Sequence, residues 1–427
     1  ENKCKEASIQ DQRGNIRICF YHHYYLPLFS GAAIRSHQQS RIMRKFGHKV
    51  WVLTPRYPGL EEQEVLDSIP VIRACIFGRT RQQRFLTYML SATWELVRRR
   101  KDYDLIHFFS LGIFDILPLL AVKALRKQIL FQITMIPPNP RRLGGKSWAL
   151  VRLELRLVDG FLALNKPLRR VLEAQGGIHG RPVAIIPNGV DLDLFRPAPS
   201  SEKARLRRDL CLESDARYIC FVGTVEERKG VDVLVSAFSS VAAERPEAHL
   251  LVVGRDEFVK PGFEEDKGYQ RAQVFADSLK RRIQILGLTD RVIFTGHTDR
   301  VSDYLRVSDI FVFPSRREGF PSAVIQAMAT GLPCIVAELG GVAADIITDG
   351  VDGYIIQGHN PNHYAERIRH LLDNPADAER MGKLARRTAE QKFCLERVVE
   401  QYMDFCETLL QTKQKRGFLH TKQRSKE

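Results

Sequence analysis

The chain has 427 residues, which is too long for one ordinary hydrophobic core, so two or three domains are expected. Its composition is globular, with 44% hydrophobic and 27% charged residues, and no apolar stretch approaches the roughly 20 residues that span a bilayer. The net charge of +15 lies in residues 1–200, since residues 201–427 carry 34 basic and 34 acidic residues, and this asymmetry excludes a uniformly basic nucleic-acid-binding protein.

The cysteines and the start of the chain bear on the cellular compartment. The eight cysteines are scattered, without the close pairs of a zinc site, which favours a reduced, cytoplasmic protein and predicts no metal site. Residues 1–13 are polar and charged, unlike a secretory signal. The chain does not begin with Met, so a leader removed earlier stays open.

Short apolar runs alternate with longer amphipathic stretches along the first half, which predicts βα units around a parallel sheet. The strand candidates are residues 16–21, 50–54, 105–109, 129–134, 161–164 and 183–186. A glycine loop at residues 27–33 follows the first of them and leads into a helix. Residues 151–157 alternate strictly between apolar and polar side chains, so their periodicity by itself predicts an edge strand.

Residues 195–202 are rich in proline and serine, which is typical of a linker and predicts a boundary between domains at 1–197 and 198–394. The alternation then begins again, with strand candidates at 218–222, 249–253, 291–295, 309–313, 333–337 and 354–356. Residues 395–411 have a helical pattern, and the basic residues 412–427 are predicted to form a disordered tail. The predicted fold is α/β, with two doubly wound domains that meet at a hinge.

The first strand of the second half ends in a glycine turn followed by two cations. Gly223 and Thr224 form the turn, and Arg228 and Lys229 precede the next helix. Glycine at the end of a parallel strand lets the backbone approach a phosphate. Lys229 there can neutralise a diphosphate leaving group as its charge develops. A solvated pair of cations on a loop fits this segment equally well.

A second polar turn follows the strand at 309–313. Glu318, Gly319 and Phe320 lie in this turn, and Gln326 lies on the helix that follows. A carboxylate in such a turn can accept hydrogen bonds from sugar hydroxyls, and an amide one or two helical turns later can reach a ribose. The alternative role of Glu318 is that of an acidic residue favoured at a helix start by the helix dipole.

Histidines near strand ends are the remaining candidates for the site. His22, His23 and His107 lie in or beside apolar strands, which favours structural or acceptor-shaping roles over that of a catalytic base. His297 follows the strand at 291–295, where it could line a nucleotide pocket.

Taken together, several segments resemble glycosyltransferase family 4. They are residues 186–195 (IPNGVDLDLF), 221–238 (FVGTVEERKGVDVLVSAF), 250–254 (LLVVG), 292–296 (VIFTG), 308–341 (SDIFVFPSRREGFPSAVIQAMATGLPCIVAELGG) and, more loosely, 47–55 (GHKVWVLTP). The resemblance implies the GT-B fold, in which two Rossmann-like domains face each other and a C-terminal helix, here 395–411, returns to the first. It also implies that residues 151–157 form a helix.

The resemblance further implies a retaining transferase that uses a nucleotide sugar, UDP- or GDP-linked, with no obligatory metal or other cofactor. Glu318 matches the family's glutamate that contacts the donor sugar, and Lys229 matches its diphosphate-binding lysine. Gly31 lies in the glycine loop that faces the diphosphate. The second domain would therefore hold the donor and the first domain the acceptor.

Three positions depart from the family pattern. Thr224 replaces an arginine, for which Arg228 could substitute, and Thr134 replaces a histidine beside the reacting centre. Gln326 replaces the glutamate that bonds the ribose, so a donor and an acceptor remain but a charged contact is lost. These departures keep two alternatives open: another GT-B enzyme such as a sugar-nucleotide epimerase, or a non-catalytic sugar-binding protein of the same fold.

Basic residues of the first half are interleaved with aromatic and apolar ones. The cations are Arg79, Arg81, Arg84, Arg98, Arg99, Arg100, Lys101, Arg141, Arg142, Lys146, Arg152 and Arg156, and the neighbours are Phe85, Leu86, Tyr88, Trp94, Trp148 and Leu150. This pattern predicts docking on an anionic membrane surface, with the protein peripheral on the inner face of the cell membrane and a glycan or lipid-linked acceptor. Two alternatives stay open: residues 98–101 only complement the dipole at the C-terminal end of a helix, or the basic face attracts an anionic soluble acceptor.

Overall fold

The computed structural model of the protein describes residues 15–28, 31–111, 115–135, 148–174, 178, 180–258 and 267–424. The chain forms two compact units: unit 1 comprises Glu1–Pro187 and Glu396–Glu427, and unit 2 comprises Asn188–Leu395. Among the described residues, no helix combines the length and the apolar character needed to cross a bilayer.

Unit 1 is built on an eight-stranded sheet. Its strands are β1 (Arg17–Tyr21), β2 (Lys49–Pro55), β3 (Gln63–Leu66), β4 (Ile69–Ala74), β5 (Leu105–Phe108), β6 (Gln128–Ile133), β7 (Gly160–Ala163) and β8 (Val183–Ile185). Their order is β3-β4-β2-β1-β5-β6-β7-β8, and all pairs are parallel except β3 with β4. The central strands are buried on both faces, as expected of a parallel sheet covered by helices.

Helices cover this sheet. With numbering along the chain they are α1 (Gly31–Lys45), α2 (Arg81–Arg98), α3 (Ile116–Ala124), α4 (Trp148–Leu157), α5 (Lys166–Ala174) and the final helix α14 (Leu395–Arg424). Helix α4 includes residues 151–157, for which the periodicity predicted a strand and the family resemblance implied a helix. The structure confirms the helix, and the strand prediction was wrong. Glu154 and Leu155 are adjacent and both buried, which a helix permits and an alternating strand does not.

The final helix packs on the sheet of unit 1, as the GT-B prediction required. The hydroxyl of Tyr402 lies 3.0 Å from Nδ1 of His107, and a Cβ at Gly160 would lie 2.7 Å from the methyl carbons of Leu409. The helix continues through residues 412–424, where a disordered tail was predicted. Lys, Arg and Gln lose little rotamer freedom in a helix, so a basic composition does not exclude one.

Unit 2 is built on a six-stranded parallel sheet. Its strands are β9 (Arg217–Val222), β10 (Ala248–Val253), β11 (Val292–Phe294), β12 (Ile310–Phe313), β13 (Cys334–Ala337) and β14 (Tyr354–Ile356), in the order β11-β10-β9-β12-β13-β14. The surrounding helices are α6 (Ser200–Asp209), α7 (Val231–Glu244), α8 (Lys267–Ile285), α9 (Val301–Val307), α10 (Ser322–Ala329), α11 (Val342–Ile346), α12 (Pro361–Asp373) and α13 (Pro375–Lys392). All six strands predicted for this half are present.

The two units divide between Pro187 and Asn188, whereas the sequence placed the boundary at 197/198. The intervening segment packs on unit 2. Val190 pairs with Cys394 in a β-bridge, and Nη1 of Arg386 donates to the carbonyl oxygen of Phe195 at 2.7 Å. Its irregular backbone is thus held by hydrogen bonds, which proline and serine content alone does not reveal.

Candidate active site

The sheet of unit 2 reverses its strand order at β9 and β12, which are neighbours. Strands β10 and β11 continue on one side, and β13 and β14 on the other. Ligands of open α/β sheets bind beyond the carboxyl ends of the strands at such a topological switch point. The two loops that the sequence singled out, after β9 and after β12, therefore open at the same place.

Close backbone approach joins these two loops. Gly230 has φ +70°, and a Cβ there would lie 2.1 Å from the carbonyl oxygen of Pro314, so only glycine fits. Glu227–Lys229 form a short 3₁₀ helix immediately before it. The side-chain stem of Lys229 passes over Gly223, where an added Cβ would lie 3.7 Å from Lys229 Cδ. This path carries the ammonium group toward the loop after β12.

Glu318 is the centre of the hydrogen-bond network between the loops. Its Oε1 accepts from Lys229 Nζ at 2.7 Å, from Arg228 Nη1 at 2.9 Å and from Ser315 Oγ at 2.9 Å. The glutamate side chain is only 9% exposed. All three bonds engage Oε1, which leaves Oε2 as the oxygen that can accept from a ligand.

Charge keeps this buried carboxyl ionised. Burial by itself would raise the pKa of Glu318, but the positive charges of Lys229 and Arg228 and the hydrogen bonds from Lys229 and Ser315 outweigh it and hold the pKa below its ordinary value. The group is therefore a carboxylate at neutral pH, and a charge-assisted acceptor is stronger than a neutral one.

The two cations differ in their surroundings. Arg228 is also bound to Glu226, with Nη2 at 2.5 Å from Oε1, and donates to the carbonyl oxygen of Arg317 at 2.9 Å. Lys229 has Glu318 as its ion-pair partner and lies 5.2 Å from the ring centroid of Phe313. Arg228 thus links the two loops through its hydrogen bonds, whereas the ammonium group of Lys229 retains hydrogens that can be donated to a ligand.

Two further residues fix the loop after β12, and the sequence did not single them out. Ser315 binds Glu318 and the carbonyl oxygen of Arg228, and Nδ2 of Asn188 donates to the carbonyl oxygen of Phe320 at 3.2 Å. Both lie within segments that carry the family resemblance, which is the signal that could have found them.

The remaining donor-side candidates belong to the same unit. Gly319 and Phe320 are buried in the loop, and Thr224 is half-buried in the turn after β9. Gln326 is half-buried on α10. His297 is exposed and follows β11, the edge strand, two positions from β9 in the sheet.

Unit 1 has its own switch point, at the neighbouring strands β1 and β5. His23 follows β1 and Ser110 follows β5. Nε2 of His23 lies 2.9 Å from Oδ1 of the fully buried Asp115, and its Nδ1 lies 3.1 Å from Ser110 Oγ. The imidazole is held on both sides but keeps 29% of its side-chain surface exposed.

Other acceptor-side candidates are placed differently. His22 is buried, its Nε2 lies 2.8 Å from Ser36 Oγ, and its ring stacks on Phe109 at 4.0 Å. Burial, aided by nearby basic side chains, lowers the pKa of His22 well below its ordinary value, so its imidazole is neutral at physiological pH. Thr134 is half-buried after β6, and Gly31 begins α1. Residues 29 and 30 of the glycine loop lie outside the described residues.

Two family models match successive parts of the chain. The model described as Glycosyltransferase Family 4 matches residues 29–194, and the model described as Glycosyl transferases group 1 matches residues 202–388.

The chain is also similar to curated proteins of known name. It is 35% identical over 255 residues to the D-inositol 3-phosphate glycosyltransferase of Streptomyces avermitilis, an alignment that covers 59% of this chain and 52% of the relative. It is 33% identical over 195 residues to the enzyme of that name from Thermobispora bispora, covering 45% and 43%. The chain thus spans about half the length of the curated relatives that it matches.

Solved structures share the fold over nearly the whole chain. The Anabaena protein HepE, crystallised with UDP and glucose, is 20% identical, with a TM-score of 0.72 over 92% of this chain and 100% of that one. The sucrose-phosphate synthase of Thermosynechococcus elongatus is 22% identical, with a TM-score of 0.74 over 93% and 100%. The chain therefore belongs to glycosyltransferase family 4, and its fold is GT-B.

Proposed function

We propose that the protein transfers a sugar from a nucleoside-diphosphate sugar to an acceptor hydroxyl, with retention of the anomeric configuration. The observation that carries this proposal is the 2.7 Å contact between Lys229 and the ionised Glu318 at the switch point of unit 2. At this position the cation can bind the diphosphate of a donor, and the carboxylate can accept hydrogen bonds from the hydroxyls of its sugar. HepE was crystallised with UDP and with UDP-glucose, which favours a UDP-sugar over a GDP-sugar as the first donor to test.

Lys229 is assigned to the leaving group. The bond between C1 of the sugar and the diphosphate oxygen breaks, and its electron pair stays with the diphosphate. The ammonium group stabilises this charge as it develops. The acceptor oxygen forms its bond to C1 on the same face, and its proton passes to the departing diphosphate, so positioning replaces a protein nucleophile.

Glu318 is assigned to the donor sugar. Because Lys229, Arg228 and Ser315 all hold Oε1, the carboxylate is fixed in one orientation and Oε2 can accept hydrogen bonds from sugar hydroxyls. Gln326 is assigned to the ribose, where its amide offers an acceptor and a donor.

The acceptor is assigned to the switch point of unit 1, where His23 is oriented by Asp115 and Ser110. A glycan or lipid-linked hydroxyl is the proposed acceptor class. The names of the curated relatives favour a second candidate, the soluble anionic acceptor D-inositol 3-phosphate.

The test is a transfer assay with the full chain. UDP- and GDP-sugars are combined with three acceptors: an oligosaccharide, a lipid-linked glycan and D-inositol 3-phosphate. We expect release of nucleoside diphosphate that depends on the acceptor, and a product with the donor's anomeric configuration by NMR. Isomerisation of the donor without acceptor would instead indicate an epimerase, and donor binding without turnover on any acceptor would contradict the transferase proposal.

A further inference from the structure

Helix α2 presents an apolar stripe to solvent. Leu86, Leu90 and Trp94 recur every four residues, so they lie on one side of the helix. These residues are 51%, 53% and 65% exposed, whereas Tyr88 and Leu96 on the opposite side are buried. A row of large exposed apolar side chains on a folded domain indicates a binding surface.

The neighbouring helices also expose apolar side chains. Helix α2 packs beside α3, and α3 packs beside α4. Leu120 of α3 and Leu153 of α4 are also exposed. We call the outward side of these three helices the α2–α4 face.

The exposed charges of the α2–α4 face are of one sign. The three helices contain two acidic residues, Glu95 and Glu154, and both are buried. The exposed charged side chains of the described part of this face, Arg84, Arg98 and Arg156, are all cations. Glu95 is also shared between two arginines, Arg98 at 2.7 Å and Arg99 at 3.0 Å, so the C-terminal end of α2 retains positive charge.

We propose that the α2–α4 face docks on an anionic lipid bilayer. Leucine and tryptophan side chains suit the boundary between headgroups and acyl chains, and arginines beside them suit anionic headgroups. The positive excess of residues 1–200 provides long-range attraction of the same sign. This surface is independent of the donor site in unit 2, so the proposal stands or fails apart from the catalytic one.

The structure also revises which residues form this surface. Tyr88, which the sequence pattern included, is buried with its ring centroid 6.2 Å from that of Tyr21, because it lies on the core side of α2. Leu90, Leu120 and Leu153, which the pattern omitted, are exposed. Other members lie outside the residues or side chains that the structure describes, namely Arg81, Arg141, Arg142, Lys146, Trp148 and Leu150.

The test is sedimentation of the full chain with vesicles of phosphatidylcholine, alone or with phosphatidylglycerol. We expect binding to the anionic vesicles only, weakened by added salt because screening shortens the electrostatic attraction. The triple variant Leu86→Ser, Leu90→Ser, Trp94→Ser should lose at least about tenfold in vesicle affinity, since its apolar stripe is gone.

A matched variant of unit 2, Val274→Ser, Ile285→Ser, Leu286→Ser, removes three exposed apolar side chains elsewhere and should keep wild-type vesicle binding. A circular dichroism spectrum and thermal unfolding transitions like those of the wild type show that the loss of vesicle binding by the α2 variant is not unfolding of unit 1. Absence of binding to anionic vesicles, or equal binding by the α2 variant and wild type, overturns the proposal. Self-association that the α2 variant abolishes, without vesicle binding, would assign the face to a second copy and overturn it too.

Discussion

Glu318 shows how single side chains define this site. A carboxylate with only 9% of its side chain exposed stays ionised because Lys229, Arg228 and Ser315 converge on one of its oxygens. Arg228 is also bound to Glu226, so removing it disturbs the framework of the loops. Lys229 and Oε2 of Glu318 are the groups that we propose contact the donor.

Glu318→Gln should lower kcat/KM by about 100- to 1000-fold, because the amide cannot keep the ion pair with Lys229 and binds sugar hydroxyls less strongly. Ser315→Ala should lower kcat/KM less than Glu318→Gln does, since it removes one hydrogen bond to the carboxylate, worth about 1.5–3 kcal/mol, and leaves both cations. Steady-state kinetics with saturating acceptor measures both. Equal losses in the two variants would show that Glu318 acts only as a structural residue.

Gln326→Glu should be tolerated, with activity within about tenfold of wild type, or less than about 1.4 kcal/mol, if the amide merely replaces a carboxylate at the ribose. Gln326→Ala should raise the donor KM more than it lowers kcat, because the contact is present in the ground and transition states alike. A fall in kcat at unchanged KM would assign Gln326 another role.

His22 and His23 are adjacent but should respond differently to replacement by alanine. His23→Ala should raise the acceptor KM and leave donor binding unchanged, since its partly exposed imidazole lies at the switch point to which we assign the acceptor. His22→Ala should instead lower the melting temperature, because it leaves a cavity against Phe109 and removes one of the two hydrogen-bond partners of Ser36. If both variants lost only stability, the acceptor assignment of His23 would be wrong.

At the scale of single residues, the sequence predicted which residues follow the strand ends, including Gly223, Lys229 and Glu318. It did not predict that Lys229 and Arg228 share Oε1 of Glu318, because that contact depends on β9 and β12 being neighbours. The roles of Asp115 and Asn188 were missed for the same reason: their partners are distant in sequence.

At the scale of elements, helix α14 shows how a distant segment completes unit 1. Tyr402 packs its ring parallel to that of His107, with 5.5 Å between the centroids, and the two side chains share a hydrogen bond. Burial lowers the pKa of His107 to about 3, so this histidine is neutral in the folded protein.

This neutral histidine should make unit 1 sensitive to acid. Below about pH 6.5 the imidazole of His107 is protonated in the unfolded state but stays neutral in the folded state. The free energy of unfolding therefore decreases as the pH falls toward the folded pKa. Between about pH 6 and pH 4, the free energy of unfolding of wild type should therefore fall with each pH unit by about 1.4 kcal/mol more than that of His107→Gln. Urea unfolding measures this slope. Tyr402→Phe, which keeps the histidine, should retain the wild-type slope; a wild-type slope in His107→Gln would contradict the account.

Elements were predictable where a run of apolar residues marks a buried strand. The hairpin of β3 and β4 was missed because β3 alternates between exposed and half-buried residues, and β4 contains Pro70. For α4, alternation by itself gave the wrong element, since Leu153 and Arg156 are exposed and Glu154 and Leu155 are buried in a helical pattern. Local periodicity over seven residues was too short to separate the two structures.

At the scale of the whole molecule, the two units have separate sheets and different net charges. We propose different functions for them, donor binding for unit 2 and acceptor binding for unit 1. The net positive charge belongs to residues 1–200, most of which form unit 1, and the candidate donor site belongs to unit 2. Composition and the repeated strand–helix pattern predicted two α/β units. The division at Pro187 was not predictable from composition, because hydrogen bonds bind the following segment to unit 2.

Calorimetric titration of UDP into the full chain and into Lys229→Ala tests the central claim most directly. Lys383→Ala, which removes an exposed lysine of unit 2 paired with Glu379, is the matched control. We predict that Lys229→Ala weakens UDP binding by at least about tenfold, since a charge-assisted contact to phosphate is lost and is worth about 1.5–3 kcal/mol. The control should bind as wild type does. Wild-type affinity in Lys229→Ala would contradict the assignment of the switch point of unit 2 as the donor site.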